Sequence, residues 1–240
     1  MVHLKMYKIT MWRNIVFCFS FLIFSVMLLH TVVDPLLLSL NTVKPIQPFF
    51  QGDAQEPKVA FACNVFWGEE YLPEMLNALD EHNIKITFFI GGSWAKRFPQ
   101  YVTELANRGH ELGNHSYSHP HPNTLNKDQN KDQIIRTEKL IYDLTQKQTR
   151  LYAPPYGEYN DTVLYAAEEL GYKTIMWSID TIDWKRPPEE VIMNRVIKKI
   201  HNGAIILIHP TASTAKSLPH LIKHLQILGY KISTVSDILN

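Results

Sequence analysis

The chain has 240 residues, of which 45% are hydrophobic and 20% charged, and its formal net charge is +1. Once the apolar N-terminal segment is set aside, roughly 180 residues remain, which is enough for one domain with a sizeable core. Because the charge is nearly balanced and no stripe of Lys and Arg stands out, the sequence gives no indication of a nucleic-acid partner.

Residues 1–33 predict a membrane-directed segment. Three basic residues, the last of them Arg13, precede an apolar stretch from Ile15 to Leu29. A basic flank followed by an apolar run of this length is typical of signal peptides and of membrane anchors. No clean small-x-small cleavage site follows in HTVVDP (30–35). We therefore expect an uncleaved anchor that holds the rest of the chain outside the cytoplasm; a cleaved signal and a secreted domain are the alternative.

Residues 34–57 predict a linker, because they contain four prolines and no sustained periodicity. The two cysteines lie far apart in this organisation. Cys18 falls in the apolar N-terminal segment, whereas Cys63 falls in the first predicted strand, where we expect a small buried core residue. Neither a structural disulfide nor a cysteine zinc site is therefore expected.

From Lys58 onward, strand and helix patterns alternate. The predicted strands are 58–65, 86–90, 111–115, 151–153, 172–179, 204–208 and 231–234. The predicted helices are 71–82, 99–107, 127–147, 162–170, 189–201 and 218–228. Apolar strands that alternate with helices are typical of a parallel sheet covered by helices. The pattern predicts an α/β fold over residues 58–240, in the form of a distorted (β/α) barrel of about seven parallel strands.

In such barrels the chemistry gathers at the carboxyl ends of the strands. The unusual polar residues of this chain fall at or just beyond those ends: Asn64, His115, the turn 154–157, Asp180, Asp183, Trp184 and His209. Five aromatic residues also lie near the predicted rim, where they would either stack on sugar rings or serve only in packing: Phe66, Trp67, Trp94, Tyr117 and Trp184.

Two groups of residues suggest catalysis. His115 and His119 are spaced i, i+4, so a helical turn would let both imidazoles bind one metal ion; surface histidines are the alternative. His209 ends the buried strand ILIH, where an ionisable group without a hydrogen-bond partner would cost folding free energy. Asp183 is placed to orient the His209 ring; a core histidine satisfied by backbone groups is the alternative.

The motifs HSYSH (115–119), APPYG (153–157), DTIDW (180–184) and LIH (207–209) resemble, in this order, motifs two to five of the NodB-homology polysaccharide deacetylases, carbohydrate esterase family four. The resemblance extends from about Lys58 to Asn240 and is nearest to the sporulation-associated branch of bacilli. It implies a NodB-type barrel and a hydrolase of carbon–nitrogen bonds other than peptide bonds. The substrate so implied is an N-acetylated glycan of the peptidoglycan or chitin type.

The resemblance also implies roles for single residues. His115 and His119 would be ligands of a divalent metal, usually zinc, that activates water. His209 would be the general acid, oriented by Asp183, and the backbone amide of Tyr156 would stabilise the oxyanion. The pocket for the acetyl group would be lined by Pro155, Trp184 and Leu207.

The first motif departs from the family pattern. In active relatives a strand ends in two adjacent aspartates, a general base followed by the third metal ligand. Here the stretch is FACNVFWG (61–68). Aligned on the strand, Asn64 takes the base position and Val65 the ligand position. Aligned on the glycine, these positions fall on Phe66 and Trp67, so neither register supplies a carboxylate.

An asparagine amide cannot accept a proton from water at neutral pH, and loss of a general base costs about a hundred- to ten-thousand-fold in rate. The metal would keep two protein ligands unless Glu69, Glu70, His121 or the Asn64 carbonyl oxygen replaced the third. Relatives also place an arginine where this chain has Ala153, and the only nearby substitute is Arg150. The base and its charged partner are therefore absent together, which leaves the site uncharged.

Two hypotheses follow. One is a metal-dependent N-deacetylase of cell-wall glycan with a reduced or rearranged set of ligands. The other is a catalytically inactive protein with the deacetylase fold, which serves as a glycan-binding or scaffold module at the cell wall.

Overall fold

The computed structural model describes residues 2–40 and 45–239, with side chains for Met6, 11–31 and 45–239. The chain divides into two compact units, Met1–Pro45 and Ile46–Asn240. Residues 41–44 of the predicted linker and Asn240, the last residue of the predicted domain, lie outside the described residues.

The first unit is built on helix α1 (Val2–Leu40). Its segment Met11–Thr31 has a mean hydropathy of 2.0 and is long and apolar enough to cross a membrane, a test of length and composition that a signal sequence also meets. The helix continues to Leu40, so the linker prediction is wrong for residues 34–40. The run LLLSL (36–40) explains the difference, because leucine has a high helix propensity.

The second unit is built on a parallel sheet. Among the described residues it has eight strands: β1 (Lys58–Val65), β2 (Thr87–Ile90), β3 (Glu111–Asn114), β4 (Leu151–Tyr152), β5 (Lys173–Thr174), β6 (Ile179–Asp180), β7 (Ile205–Ile208) and β8 (Lys231–Ser233). Their order is β5-β4-β3-β2-β1-β7-β6, and β8 pairs with β1. The curled sheet of parallel strands confirms the predicted fold.

One predicted strand, 172–179, is wrong as a single element. Its two ends form β5 and β6, which lie at opposite ends of the strand order. The residues between them pair elsewhere, since the Met176 amide donates to the Phe49 carbonyl and the Ser178 amide to the Ile205 carbonyl. The chain therefore crosses from one edge of the sheet to the other within a few residues.

Eight helices of the second unit are described: α2 (Leu72–Glu81), α3 (Gly92–Arg97), α4 (Pro99–Asn107), α5 (Lys127–Thr145), α6 (Asp161–Glu168), α7 (Glu189–Ile197), α8 (Ala212–Ile227) and α9 (Val235–Ile238). Helix α8 begins six residues before its predicted start at 218. The Thr211 side chain caps it by accepting from the Thr214 amide, and the helix accommodates Pro219 in its interior.

The side chains of strand β1 alternate between the helix-covered face of the sheet and the inside of its curl. Successive side chains of a strand point to opposite faces. Phe61 and Cys63 pack on one face with residues of α2, such as Leu72, and Cys63 is buried as predicted. On the other face, Ala62 packs inside the curl of the sheet. Asn64 is the next residue in this inward series, at the carboxyl end of the strand.

The second unit begins before the predicted start at Lys58. The Phe49 amide donates to the Thr174 carbonyl, and the Gly52 amide donates to the Gly203 carbonyl. The prediction of a linker is therefore also wrong for this stretch, which pairs with the edge of β5 and the start of β7. Such pairing satisfies backbone groups that an open sheet edge would leave free.

Buried His110 predicts a loss of stability in acid. Its Nδ1 accepts from the Ile86 amide, and its buried Nε2 has no partner in the part of the chain that the structure describes. Burial lowers its pKa from 6.5 to about 4. A histidine pKa lowered by folding leaves stability intact above pH 6.5, and stability is lost as the pH falls toward 4. Between pH 7 and pH 5 we expect His110 to remove about 2 kcal/mol of unfolding free energy.

Urea denaturation at the two pH values tests this expectation. His110→Asn should show a smaller difference in unfolding free energy between pH 7 and pH 5 than the native protein. The matched control is His220→Asn at an exposed position, which should leave the difference unchanged. An equal pH dependence for native protein and His110→Asn would contradict the prediction.

Candidate active site

A cavity of about 450 Å³ opens at the carboxyl ends of the strands. Cavities of this size that combine aromatic walls with a few polar groups are typical of ligand sites. Twelve residues line it: Asn64, Phe66, Trp67, His115, His119, Tyr156, Gly157, Trp177, Asp180, Trp184, Leu207 and His209. We call this cavity the cleft.

The cleft brings together most of the predicted site residues. Asp183 and Pro155 are not among the lining residues; both are buried. Trp177 also lines the cleft, although its place within the predicted strand 172–179 did not indicate a site residue. Of the five aromatic candidates, Trp94 is a fully buried core residue and Tyr117 lies outside the lining.

The two histidines of HSYSH meet at the floor of the cleft. Their ring centroids lie 4.9 Å apart, with the planes nearly perpendicular. His115 Nδ1 donates to the Ala153 carbonyl at 2.7 Å, which leaves Nε2 as a lone-pair donor. Burial lowers the pKa of His115 to about 3 and that of His119 to about 4, so both imidazoles are neutral at pH 7.

The backbone that presents this pair is not the helical turn that the spacing predicted. Ser116 has φ 61° and His119 has φ 56°, both in the left-handed region. Rings on either side support His119: Phe66 at 4.8 Å and Tyr156 at 4.6 Å between centroids. The pair therefore meets through a strained loop held by aromatic packing.

His209 and Asp183 form a hydrogen-bonded pair at the cleft. His209 Nδ1 donates to Asp183 Oδ1 at 2.7 Å, and the His209 backbone amide donates to Oδ2 at 2.6 Å. The Thr214 hydroxyl also donates to Oδ2, at 2.5 Å. Asp183 has no exposed surface, and His209 lines the cleft. This geometry fixes the imidazole so that Nε2 is its free nitrogen, as a general acid requires.

The turn after β4 forms a third wall. Tyr156 adopts φ 60° within a short 3₁₀ turn, Pro155–Gly157. Its ring stacks on His121 at 4.1 Å with an interplanar angle of 9°, and His121 Nδ1 pairs with Glu158 at 2.9 Å. Pro155 is buried beneath the turn. The predicted oxyanion residue therefore lies beside the histidine pair.

The end of β1 supplies no carboxylate to the cleft. Asn64 lines it, and its buried Oδ1 has no hydrogen-bond partner among the described residues. Val65 is fully buried in the core cluster and is not among the lining residues. Phe66 and Trp67 both line the cleft, so the chain presents an amide and two aromatic rings at this wall.

Apart from Asn64, the candidate substitutes lie outside the cleft, and exposed Glu70 is one of them. Glu69 accepts from Trp94 Nε1 at 3.3 Å, and His121 pairs with Glu158. Arg150 pairs with Glu138 at the surface, as expected for a regular strand. None of the three lines the cleft.

Comparison with known proteins identifies the family. The family model "Polysaccharide deacetylase" matches residues 51–175. The chain belongs to the polysaccharide deacetylase family. It is 39% identical to the uncharacterized protein YlxY of Bacillus subtilis over 89% of this chain and 66% of that protein. It is 31% identical to the peptidoglycan-N-acetylmuramic acid deacetylase PdaA of the same species, over 83% of this chain and 78% of that protein.

Solved structures support the same assignment. Wild-type BA3943 of Bacillus anthracis, described as a CE4 family pseudoenzyme, is 40% identical, with a TM-score of 0.80 over 84% of this chain and 71% of that chain. A BA3943 mutant with restored enzymatic activity superimposes equally well, with a TM-score of 0.80 at 39% identity over 84% of this chain and 74% of that chain. The polysaccharide deacetylase fold thus occurs in both active and inactive relatives.

Deacetylases of this family are generally metal-dependent, so the donor set of this chain is informative. A hydrolytic zinc site has three protein ligands from His, Asp, Glu or Cys. Within residues 2–40 and 45–239, no group of three or more such side chains could hold a metal ion. The two histidines of the cleft alone do not complete such a site.

Gly68 follows Trp67 at a position that has no room for a side chain. Its φ is 85°, and a Cβ atom there would lie 2.0 Å from the Pro210 carbonyl oxygen. Gly68→Ala is therefore expected to lower the free energy of unfolding by about 1–3 kcal/mol, since both the dihedral and the contact are strained. Urea denaturation measures this change. Gly171→Ala, also at positive φ but with open space around it, should lower the free energy of unfolding less. The difference between the two variants separates the cost of the contact from that of the dihedral.

Proposed function

We propose that the second unit binds N-acetylated cell-wall glycan in the cleft, and that hydrolysis of the acetamide is lost or strongly reduced. The observation that carries this proposal is the composition of the cleft. The histidine pair, the Asp183–His209 pair and the Tyr156 turn surround one cavity, while Asn64 stands where a base would act. The groups suited to hold an acetamide are present, and the group suited to activate water is not.

The paired absence of charges supports this reading of the site. An aspartate at position 64 would need a cation nearby, and the residue at the matching position is buried Ala153. Removing one member of a buried ion pair is costly, whereas removing both leaves a neutral site. The end of β1 therefore leaves no unpaired buried charge in the cleft, and this arrangement suits binding.

A slow deacetylase is the second candidate, and a specific observation favours it. The Asp183–His209 pair keeps the geometry of an oriented general acid. In this candidate His115 and His119 would hold a divalent metal such as zinc, which suits imidazole ligands, at low occupancy because a third ligand is lacking. Protonation of the leaving amine by His209 would then occur without efficient water activation.

We further propose that the apolar segment of α1 anchors the protein in the cell membrane and that the second unit lies outside the cytoplasm. The segment Met11–Thr31 has the required length and composition. A glycan ligand of the cell wall is consistent with this placement, because relatives such as PdaA are named for action on peptidoglycan.

Titration of the full-length protein, in detergent micelles, with oligomers of N-acetylglucosamine tests the proposal. Calorimetry should show saturable binding, while acetate release in the presence of zinc should remain at least about a hundredfold below that of an active deacetylase. Acetate release at a comparable rate would overturn the proposal in favour of the second candidate. Absence of binding would contradict both.

A further inference from the structure

Trp67 has a position in the cleft that neither the acid pair nor the histidine pair explains. The Trp67 ring lies parallel to the His209 imidazole, with an interplanar angle of 6° and 5.8 Å between centroids. It lines the cleft, yet 37% of its surface is exposed. A large apolar ring left in contact with solvent at a cavity wall is typical of a ligand contact.

Both the backbone and the partner of this ring are immobilised. On the backbone side, Gly68 approaches the Pro210 carbonyl so closely that no other residue fits without a shift. On the ring side, His209 is held by two hydrogen bonds to fully buried Asp183. Little side-chain entropy is therefore left to lose when a ligand covers Trp67.

We propose that Trp67 is a stacking platform for a pyranose ring of the bound glycan. The inference rests on the proposed glycan binding and adds a residue that determines affinity. The axial C–H groups of a hexosamine form an apolar face that matches an exposed indole, and aromatic contacts of this kind add to the gain from area burial. The parallel rings of Trp67 and His209 are offset, and 37% of the Trp67 surface is exposed, so an indole face is open to a sugar in the cleft.

Binding of N-acetylglucosamine oligomers to full-length variants tests the platform. Trp67→Leu keeps apolar volume without a flat ring, and Trp67→Phe keeps a flat ring. We expect the dissociation constant to rise about tenfold in Trp67→Leu and to stay within about threefold of native in Trp67→Phe. Tyr142→Ala, at an exposed aromatic position on α5, is the control and should bind as the native protein does.

The outcomes separate the inference from the proposed function. If native protein binds the oligomer and Trp67→Leu binds it equally well, the platform is wrong while glycan binding stands. If the native protein binds no oligomer, glycan binding fails and the platform fails with it. Thermal denaturation of each variant establishes that it is folded, and a Trp67→Phe protein that binds as weakly as Trp67→Leu would also overturn the inference.

Discussion

Asn64→Asp is expected to raise the rate of acetate release, in the presence of zinc, by about a hundredfold or more over the native chain. Asn64 is the inward-facing residue at the end of β1 and lines the cleft together with both histidines. A carboxylate there would supply the proton acceptor that the amide lacks. The ligand position of the motif is Val65, which is buried in the core cluster, so we expect zinc affinity to stay as in the native chain.

Two variants control this experiment. Asn64→Leu has a similar volume and no carboxylate, and it should remain inactive. Adding His115→Ala to Asn64→Asp removes one of the two imidazoles and should abolish the gained activity. Equal acetate release by Asn64→Asp and the native protein, with both shown to be folded, would mean that the missing base is not what limits turnover.

The solved structures of BA3943 support the expectation that mutation can raise enzymatic activity in this fold. That protein is described as a pseudoenzyme, and one of its mutants as having restored enzymatic activity. Both structures align with 84% of this chain at a TM-score of 0.80. A fold that regains activity by substitution has kept the rest of its machinery, which is what the intact Asp183–His209 pair of this chain suggests.

The fold could be predicted where residues close together in sequence determine the secondary structure. Strand β1 has the predicted bounds, and α4 begins at Pro99 and ends at Asn107 as predicted, because proline favours a first helical position and glycine follows the end. The division of 172–179 into β5 and β6 could not be predicted, since it depends on pairing with Phe49, more than a hundred residues away. Local propensity carries no information on such partners.

The site shows the same division between local and long-range information. The placement of polar residues at strand ends follows from the parallel sheet, so His115, Asn64 and His209 could be expected to meet. The left-handed conformation of His119 and the stacking of Trp67 on His209 depend on contacts between segments far apart in sequence. The two histidines spaced i, i+4 do meet, but through a left-handed loop and not through the helical turn that the spacing predicted.

Asp183→Ala is expected to lower the free energy of unfolding by about 3–5 kcal/mol, the largest stability effect that the site predicts. The carboxylate is fully buried and accepts from the His209 backbone amide, from His209 Nδ1 and from the Thr214 hydroxyl. Its removal leaves three donors without their acceptor, two of them on His209 and one on fully buried Thr214. Each unsatisfied donor costs about 1–3 kcal/mol, and the costs are not additive.

Asp180→Ala is the matched control, since Asp180 lines the same cleft but is only half-buried. Its hydrogen bond from the Ile182 amide is a local turn contact, so its loss should cost about 1 kcal/mol. Urea denaturation of the two variants at pH 7 compares them directly. A loss in Asp183→Ala no greater than that in Asp180→Ala would mean that the buried pair does not stabilise this wall. The larger loss would show that the chain retains Asp183 for structural reasons even if the site does not turn over, so the survival of this pair cannot serve by itself as proof of catalysis.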